Sequence, residues 1–560
     1  QKDRKEEKKG PRVGAPEKAI EGFLKSAGLS SLDQCEIRDD KKGAYYVAMI
    51  EEKGRDTAEV VEDIVPEIVA GFPWPKSMRW GEGELRWVRP IHSILCAFDG
   101  EVVPVKIDGM TAGDQTRGHR FMSKGTIRAR SFDAYAAALK SAKVLIDREE
   151  RRALIAAEAK TLCAAQGLEL LEDEGLLGEV AGLAEWPVVM MGAFDPKFLA
   201  LPDEVLTAVM RGHQKYFSVK DPKTGRLANK FVFVANIEAP DGGAERVLTA
   251  RLSDAWYLYN KDLKTRLEDR IADLDRVTFF EGLGSIGDRV RRLVGLVVDL
   301  ARYVALDKAA AQQAARLAKA DLTAGMVYEF PELQGIMGRY YALAQGVRAD
   351  IADAIRDHYK PKGADDDVPP APVSVAVALA ERIDALHGFF AIGETPTGSK
   401  DPFALRRAAL GVIAIILRND LRIPLTELTG GALQLFRNHL GQSFGPGKVS
   451  ELLSFFHDRL KVYLRDKGHR HDHIDAALMK VGGTLEDDLV LIVKKLEALE
   501  AFLKTDDGAN LAAAYKRAAN ILKAEEKKEA GAAPPPQPPL EEGGRESRAK
   551  APLLREGFPP

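Results

Sequence analysis

The alternation of apolar and polar positions divides the chain into a mixed first half and a helical second half. From Ala44 to Ile50 the run AYYVAMI predicts a buried strand, and residues 58–70 carry apolar positions at helical spacing. Between 77 and 130 the pattern is β-rich. Leu85 and Trp87 alternate with Arg86 and Val88, and Val102, Val103, Val105 and Ile107 lie between Gly100 and Gly109. Asp147, with Glu150 three residues on, opens a helix that places Ile155 and Leu162 on one face. Strands are predicted at 186–192 and 230–237. From about 245 to 420 the spacing is almost wholly helical. There Asp401 and Pro402 read as an N-cap and first-turn proline for a helix through Leu417. Further helices are predicted over 425–465 and 485–525.

The predicted fold class is therefore α+β, and 560 residues are too many for one core. Residues 1–16 mix charges with Gly and Pro and read as a disordered linker. A mixed α/β region is expected over 17–245, a helical domain over 246–420, and more helices over 421–525. From 526 to 560 the chain turns proline-rich and low in complexity, which predicts a disordered tail.

Charge narrows the function. There are 81 basic and 84 acidic residues, net −3, so a nucleic-acid partner must be held by local basic patches. Cys35, Cys96 and Cys163 are too scattered for a disulfide framework or a zinc pair, which suits a reducing cytoplasm. The best apolar run, Leu410 to Leu417, is of core-helix length, so no membrane association is expected. The first residues carry no apolar signal segment and no initiating Met, so the chain reads as a fragment or a processed form.

Three clusters offer chemistry for RNA. Arg79, Arg86 and Arg89 alternate with Trp80 and Trp87 around Gly81 and Gly83; guanidinium groups pair with phosphates, and flat rings stack on unpaired bases. The plainer reading is packed tryptophans with solvated arginines, and it is favoured on pattern alone. Arg117-Gly118-His119-Arg120 and Arg211-Gly212-His213-Gln214-Lys215 each gather cations, a histidine and a following aromatic around one glycine. Gly81-Glu-Gly83-Glu-Leu-Arg86 fits a loose ATP-site pattern of class II tRNA ligases, but no partner motif accompanies it. Met122-Ser123-Lys124 likewise lacks the histidine-rich partner of a class I lysine loop. Walker A, G-x-S-x-G and H-E-x-x-H motifs are missing, so no catalytic residue is assigned.

Two metal readings need weighing. His469, His471 and His473 alternate in what reads as a loop, with no obvious fourth ligand. The helical block raises an HD-type, metal-dependent nucleotide phosphohydrolase, with Asp321, Asp384 and His358 as donors. Ala320 stands where a ligand histidine is wanted, so no metal site is assigned.

The series KSMRWGEGELRWVRPIHSIL, TRGHRFMS, EVAGLAEWPVVM, MRGHQKYF, FVFVANI, RLSDAWYLYNKDLKTRLEDR and KDPFALRRAALGVIAII resembles the successive blocks of the bacterial glycine–tRNA ligase beta-subunit family, over about residues 10 to 525. The resemblance implies a subunit that binds tRNA(Gly) beside a separate alpha subunit, commonly as α2β2. ATP and magnesium are then expected on alpha, with no cofactor on this chain and no DNA partner. It implies an HD-like helical domain with a degraded metal site. It also implies the start of a helical anticodon-binding domain near 500–523, where NLAAAYKRAANILK sets Leu511, Tyr515, Ala518 and Leu522 on one face. Lys516, Arg517 and Lys523 are then further RNA-contact candidates. Against the family pattern the chain reads as truncated at both ends.

Overall fold

The computed structural model describes residues 3–41, 43–52, 54–238, 242–363, 366–440, 447–480 and 485–531. It divides into two compact units. One holds residues 1–265 with 324–333, the other 266–323 with 334–560.

The first unit begins with a correction. Residues 1–16, expected as a disordered linker, contain the strand Arg4–Arg12. It pairs antiparallel with Gly43–Glu52, which also pairs with Cys35–Asp40, so the chain's first strand lies at the sheet edge. Its sequence has no apolar alternation because backbone hydrogen bonds and ion pairs hold it. Lys9 and Arg12 each reach Asp40 at 3.0 Å. Gly10 lets the strand lie against the Phe23 ring, which would stand 2.6 Å from an added Cβ. The helix Glu17–Ala27 buries Phe23 and Ala27 against Ala48 of the predicted strand.

The stretch 77–130 is β-rich only in miniature, with two-residue ladders such as Gln115–Thr116 against Ile127–Arg128. A small core of Val103, Val105, Ile107 and Ala112 packs under Val61, Val65 and Val69 of the helix Thr57–Ala70. Downstream, an antiparallel four-stranded sheet places Phe217–Lys220 and Leu227–Ala235 between Glu169–Leu170 and Val188–Ala193. The helix Arg148–Ala164, N-capped by Asp147, lays Ile155, Ala159 and Cys163 on this sheet. The helix Gly243–Asp262, expected to open the helical domain, belongs to this unit. The Asp262 carboxylate accepts from the amides of Gly325 and Met326 at 3.0 and 2.9 Å, which anchors the segment 324–333.

Among its described residues the second unit is helical apart from a small hairpin, Thr278–Phe280 with Gly284–Ser285. Its core is the helix Pro372–Ala391, largely apolar with a mostly buried charged stretch at Glu381, Arg382 and Asp384, and packed among Ile286–Leu300, Lys308–Leu317, Ala349–Asp357 and Leu405–Arg418. The helix expected to open at Asp401-Pro402 starts at Leu405 instead. Ala404 takes a left-handed conformation, and the Asp401 carboxylate accepts from the amides of Leu405 and Arg406. So Asp401 still caps the helix, through its first-turn amides, after an intervening turn. The histidines read as lying in a loop instead flank and open the helix His471–Ala477; His469 Nδ1 lies 3.1 Å and His473 Nδ1 3.5 Å from the Glu500 carboxylate. The helix Asp506–Gly531 leaves Leu511, Tyr515 and Leu522 exposed, so the face predicted to be apolar is uncovered. It also carries the first residues of the expected tail; the remainder, 532–560, lies outside the described residues. No described helix is long and apolar enough to cross a membrane.

Candidate nucleic-acid interface

The tryptophan–arginine cluster shows packing and exposure together: Trp87 packs with rings upstream of it, while Trp80 and Trp87 are half-buried and not in a core. Phe72, Trp74 and Trp87 pack ring on ring with centroids 4.8–5.4 Å apart. A backbone bridge between Met78 and Trp87 closes the loop, and Arg79, Arg86 and Arg89 face solvent. Arg86 donates to Ser77 Oγ and Arg89 to the Val88 carbonyl, so their charges carry no carboxylate partner among the described residues.

The two R-G-H turns differ in kind. In the first, the His119 amide donates to the Ala142 carbonyl, just past the helix Phe132–Ser141. Gly118 is required there: an added Cβ would sit 2.7 Å from that carbonyl oxygen and 2.8 Å from Ser123 Oγ. His119 is 1% exposed, and its Nδ1 accepts from the amides of Phe121 and Met122 at 3.2 Å. It was a candidate RNA contact on sequence. The structure makes it the turn's internal brace, because a buried ring cannot reach a ligand in solvent. Bracing from below pushes the neighbours outward. Arg117 and Arg120 are exposed with no ion pair among the described residues, and the Arg120 guanidinium lies 5.7 Å from the centre of the Phe121 ring, itself 72% exposed.

The second turn continues the helix Asp203–Val209 as a π-helical turn, Met210–Gln214, anchored by buried Met210 and ended by Lys215 at φ 59°. Each of the three basic side chains here stands near an acid. Arg211 meets Asp173 at 2.6 Å, Lys215 meets Glu179 at 2.9 Å, and His213 stands 3.7 Å from Glu329. Asp173 also accepts from the Leu176 amide as N-cap of the helix Glu174–Ala181. Burial pushes its carboxyl pKa up. The Leu176 amide and the Arg211 guanidinium outweigh that and hold it below the usual carboxylate range. On the helix Asp506–Gly531, Lys516, Arg517 and Lys523 are exposed and without ion pairs among the described residues.

The donors of the phosphohydrolase reading are engaged only in part within the protein. Arg292, fully buried, donates to Asp384 at 2.6 and 3.3 Å, and Arg289 adds a third bond at 3.1 Å. Lys319 Nζ meets Glu381 at 2.7 Å. Burial opposes ionisation of Glu381, but Arg289 and Lys319 prevail and hold its pKa well below the usual range. Asp321 accepts from the amides of Gly335 and Gly338 at 2.6 and 2.9 Å, and burial raises its pKa to about 6. Burial drops His358 to about 3, so it is neutral at physiological pH. Fixed cations thus meet Asp384 and Glu381, while Asp321 is met by backbone amides through Oδ2 only, and Asp321 Oδ1 and His358 Nε2 are buried with no hydrogen-bond partner among the described residues. Among the described residues no group of three or more His, Cys, Asp or Glu is placed to hold a metal ion.

Sequence reasoning missed the acids that neutralise the second turn. Asp173 and Glu179 lie more than thirty residues upstream in a helix with its own local logic, and no spacing rule connects them to Arg211 or Lys215.

The protein is thus an α+β chain of two compact units that presents exposed cations and aromatics on a turn and a helix. Residues 1–479 match the family model described as glycyl-tRNA synthetase beta subunit. Relatives called glycine–tRNA ligase beta subunit include one from Ruegeria sp. (strain TM1040), 53% identical over 92% of this chain and 75% of the relative. One from Paracoccus denitrificans is 53% identical over the same shares, and one from Rhodospirillum centenum is 50% identical over 94% and 77%. The chain belongs to the glycine–tRNA ligase beta-subunit family.

Proposed function

We propose that this chain is the tRNA-handling subunit of a heteromeric glycine–tRNA ligase, acting in the cytoplasm with a separate alpha subunit that carries the ATP, Mg²⁺ and glycine chemistry. The family match over residues 1–479 carries this reading. The exposed, uncompensated cations Arg117, Arg120, Lys516, Arg517 and Lys523 support it, because a chain of net charge −3 must hold tRNA through a few such places. Arg79, Arg86 and Arg89 add a weaker basic edge. Arg211, His213 and Lys215 contribute least to phosphate binding, since their carboxylate partners already satisfy them. An α2β2 assembly is the stoichiometry proposed.

Division of labour is the testable core. Pyrophosphate exchange with glycine and ATP should be undetectable for this chain alone and appear when alpha is added. Charging of tRNA(Gly) should require both. Robust exchange by this chain alone would overturn the assignment of roles.

A further inference from the structure

A cleft of about 500 Å³ opens in the first unit beside the Arg117 turn, lined among others by Ser93, Gln115, Thr116, Arg130, Phe132 and Tyr135. Its volume is that of a small-ligand site, roughly 300–1,000 Å³. Phe132 is 72% exposed at the first position of the helix Phe132–Ser141, with Tyr135 one turn on and half-buried. A large aromatic left in solvent beside a cavity is a stacking platform without a partner. Gln115, Thr116, Ser93 and Ser131 bring amide and hydroxyl groups that both donate and accept.

Three arginines, Arg117, Arg128 and Arg130, stand near it, with Asp114 and Glu101 as the acids beside them. Arg128 stands directly across the short ladder from Gln115, and residues opposite one another in an antiparallel pair share a face. Arg128 is exposed and its side chain makes no hydrogen bond or close ion pair among the described residues, although it lies near enough to Asp114 to add to the Arg130 hydrogen bond in lowering that carboxyl's pKa. Arg130 is held through Nε by Asp114 at 3.0 Å, while its NH1 stays 3.8 Å from Glu101, so its outer nitrogens have donors to spare. Arg117 follows lining residue Thr116 directly and is likewise unpaired among the described residues.

We infer that this cleft binds a single nucleotide unit. Its base stacks on Phe132 and Tyr135 and is read by Gln115 and the hydroxyls, and its phosphate is held by Arg128 and Arg117. A planar base with an adjoining phosphate matches what is present: a ring surface, mixed donors and acceptors, Arg130 in the lining, and Arg117 and Arg128 next to lining residues in the chain and across the ladder. The inference deepens the tRNA reading and rests on it for one of two sources, an unpaired residue of the RNA or a free mononucleotide.

The test uses the full chain assembled with alpha. Phe132→Ala should weaken tRNA(Gly) binding roughly tenfold and leave its salt dependence intact, because stacking releases no counterions. Arg128→Ala should lower the slope of log affinity against log salt by about 0.7–0.9, the share of a single phosphate. In Phe132→Trp, added tRNA or AMP should quench the new fluorescence relative to the parent protein. Quenching by tRNA but not millimolar AMP assigns the cleft to the RNA; quenching by AMP, competed by tRNA, assigns it to mononucleotides as well. The inference is overturned if the parent protein binds tRNA while both alanine variants match it in affinity and slope and AMP leaves Phe132→Trp unquenched. If the parent protein binds no tRNA, the broader reading has failed, and the AMP measurement alone decides the cleft.

Discussion

Residues 117–119 and 211–213 spell the same Arg-Gly-His, yet one turn offers free charge and the other has spent its own. Beneath the first, a buried histidine braces the backbone from below, a glycine is forced by close approach to Ala142, and two arginines are left unpaired among the described residues. In the second, the glycine has open space around it, the histidine is exposed beside Phe330, and Arg211 and Lys215 each face a carboxylate. A phosphate approaching the first turn gains an uncompensated cation. One approaching the second must compete with an existing ion pair. The lesson is that a cationic motif has binding value only after its acids have been counted in three dimensions.

The sharpest way to break the comparison is at the glycines. Gly118→Ala forces a side chain into the Ala142 backbone and should destabilise the first unit by about 1–3 kcal/mol, the usual cost of overpacking. Gly212→Ala meets nothing within 4 Å and should be neutral or slightly stabilising. Thermal denaturation of the two variants side by side measures the difference. Equal loss in both would remove the structural distinction between the turns.

Next in size is the charge itself. Arg117→Ala with Arg120→Ala should lower the salt slope of tRNA binding by about one to two units, roughly 0.7–0.9 for each phosphate no longer neutralised. An unchanged slope with weakened assembly would make the turn a contact for alpha. Lower stability with neither change would make both arginines structural.

Acid stability probes the second turn. The Asp173 pKa is depressed in the folded state, so its contribution is fully present above the ordinary carboxylate range and is lost as pH falls through the folded value. Asp173→Asn keeps an oxygen for the Leu176 amide but abolishes the charge facing Arg211. It should lower stability by up to about 1 kcal/mol at neutral pH, the scale of a half-exposed ion pair. Toward pH 3 its denaturation midpoint should converge on that of the parent. A constant gap across the titration would show that the ion pair is idle.

The smallest expected effect is the most diagnostic. Arg211→Ala should leave the salt slope of tRNA binding unchanged, because its guanidinium already faces Asp173. A fall of a full unit would mean that phosphate displaces the acid, and the two turns would then be equivalent.

Much of the fold was legible beforehand. The buried strand through Val47 and Ala48, the helix capped by Asp147, the strands near 188 and 231, and the apolar helix through residues 373–392 all follow from local periodicity and capping, which short-range sterics and burial impose. The strand Arg4–Arg12 was illegible because its partner is far along the chain and its letters carry charge in place of a pattern. The start of the helix at Leu405 was missed by a few residues because a left-handed Ala404 has no signature in a sequence where glycine is the usual choice.

By itself the sequence determined the α+β class, the switch from mixed to helical structure, and the family, since each is written in local spacing or in a long ordered series of blocks. Tertiary structure alone decided which members of those blocks face solvent. It turned His119 inward, brought Asp173 and Glu179 onto Arg211 and Lys215, and set Arg289 and Arg292 on Asp384. Charge pairing and burial depend on distances between residues 36 to 95 positions apart, and those distances exist only once the chain has folded.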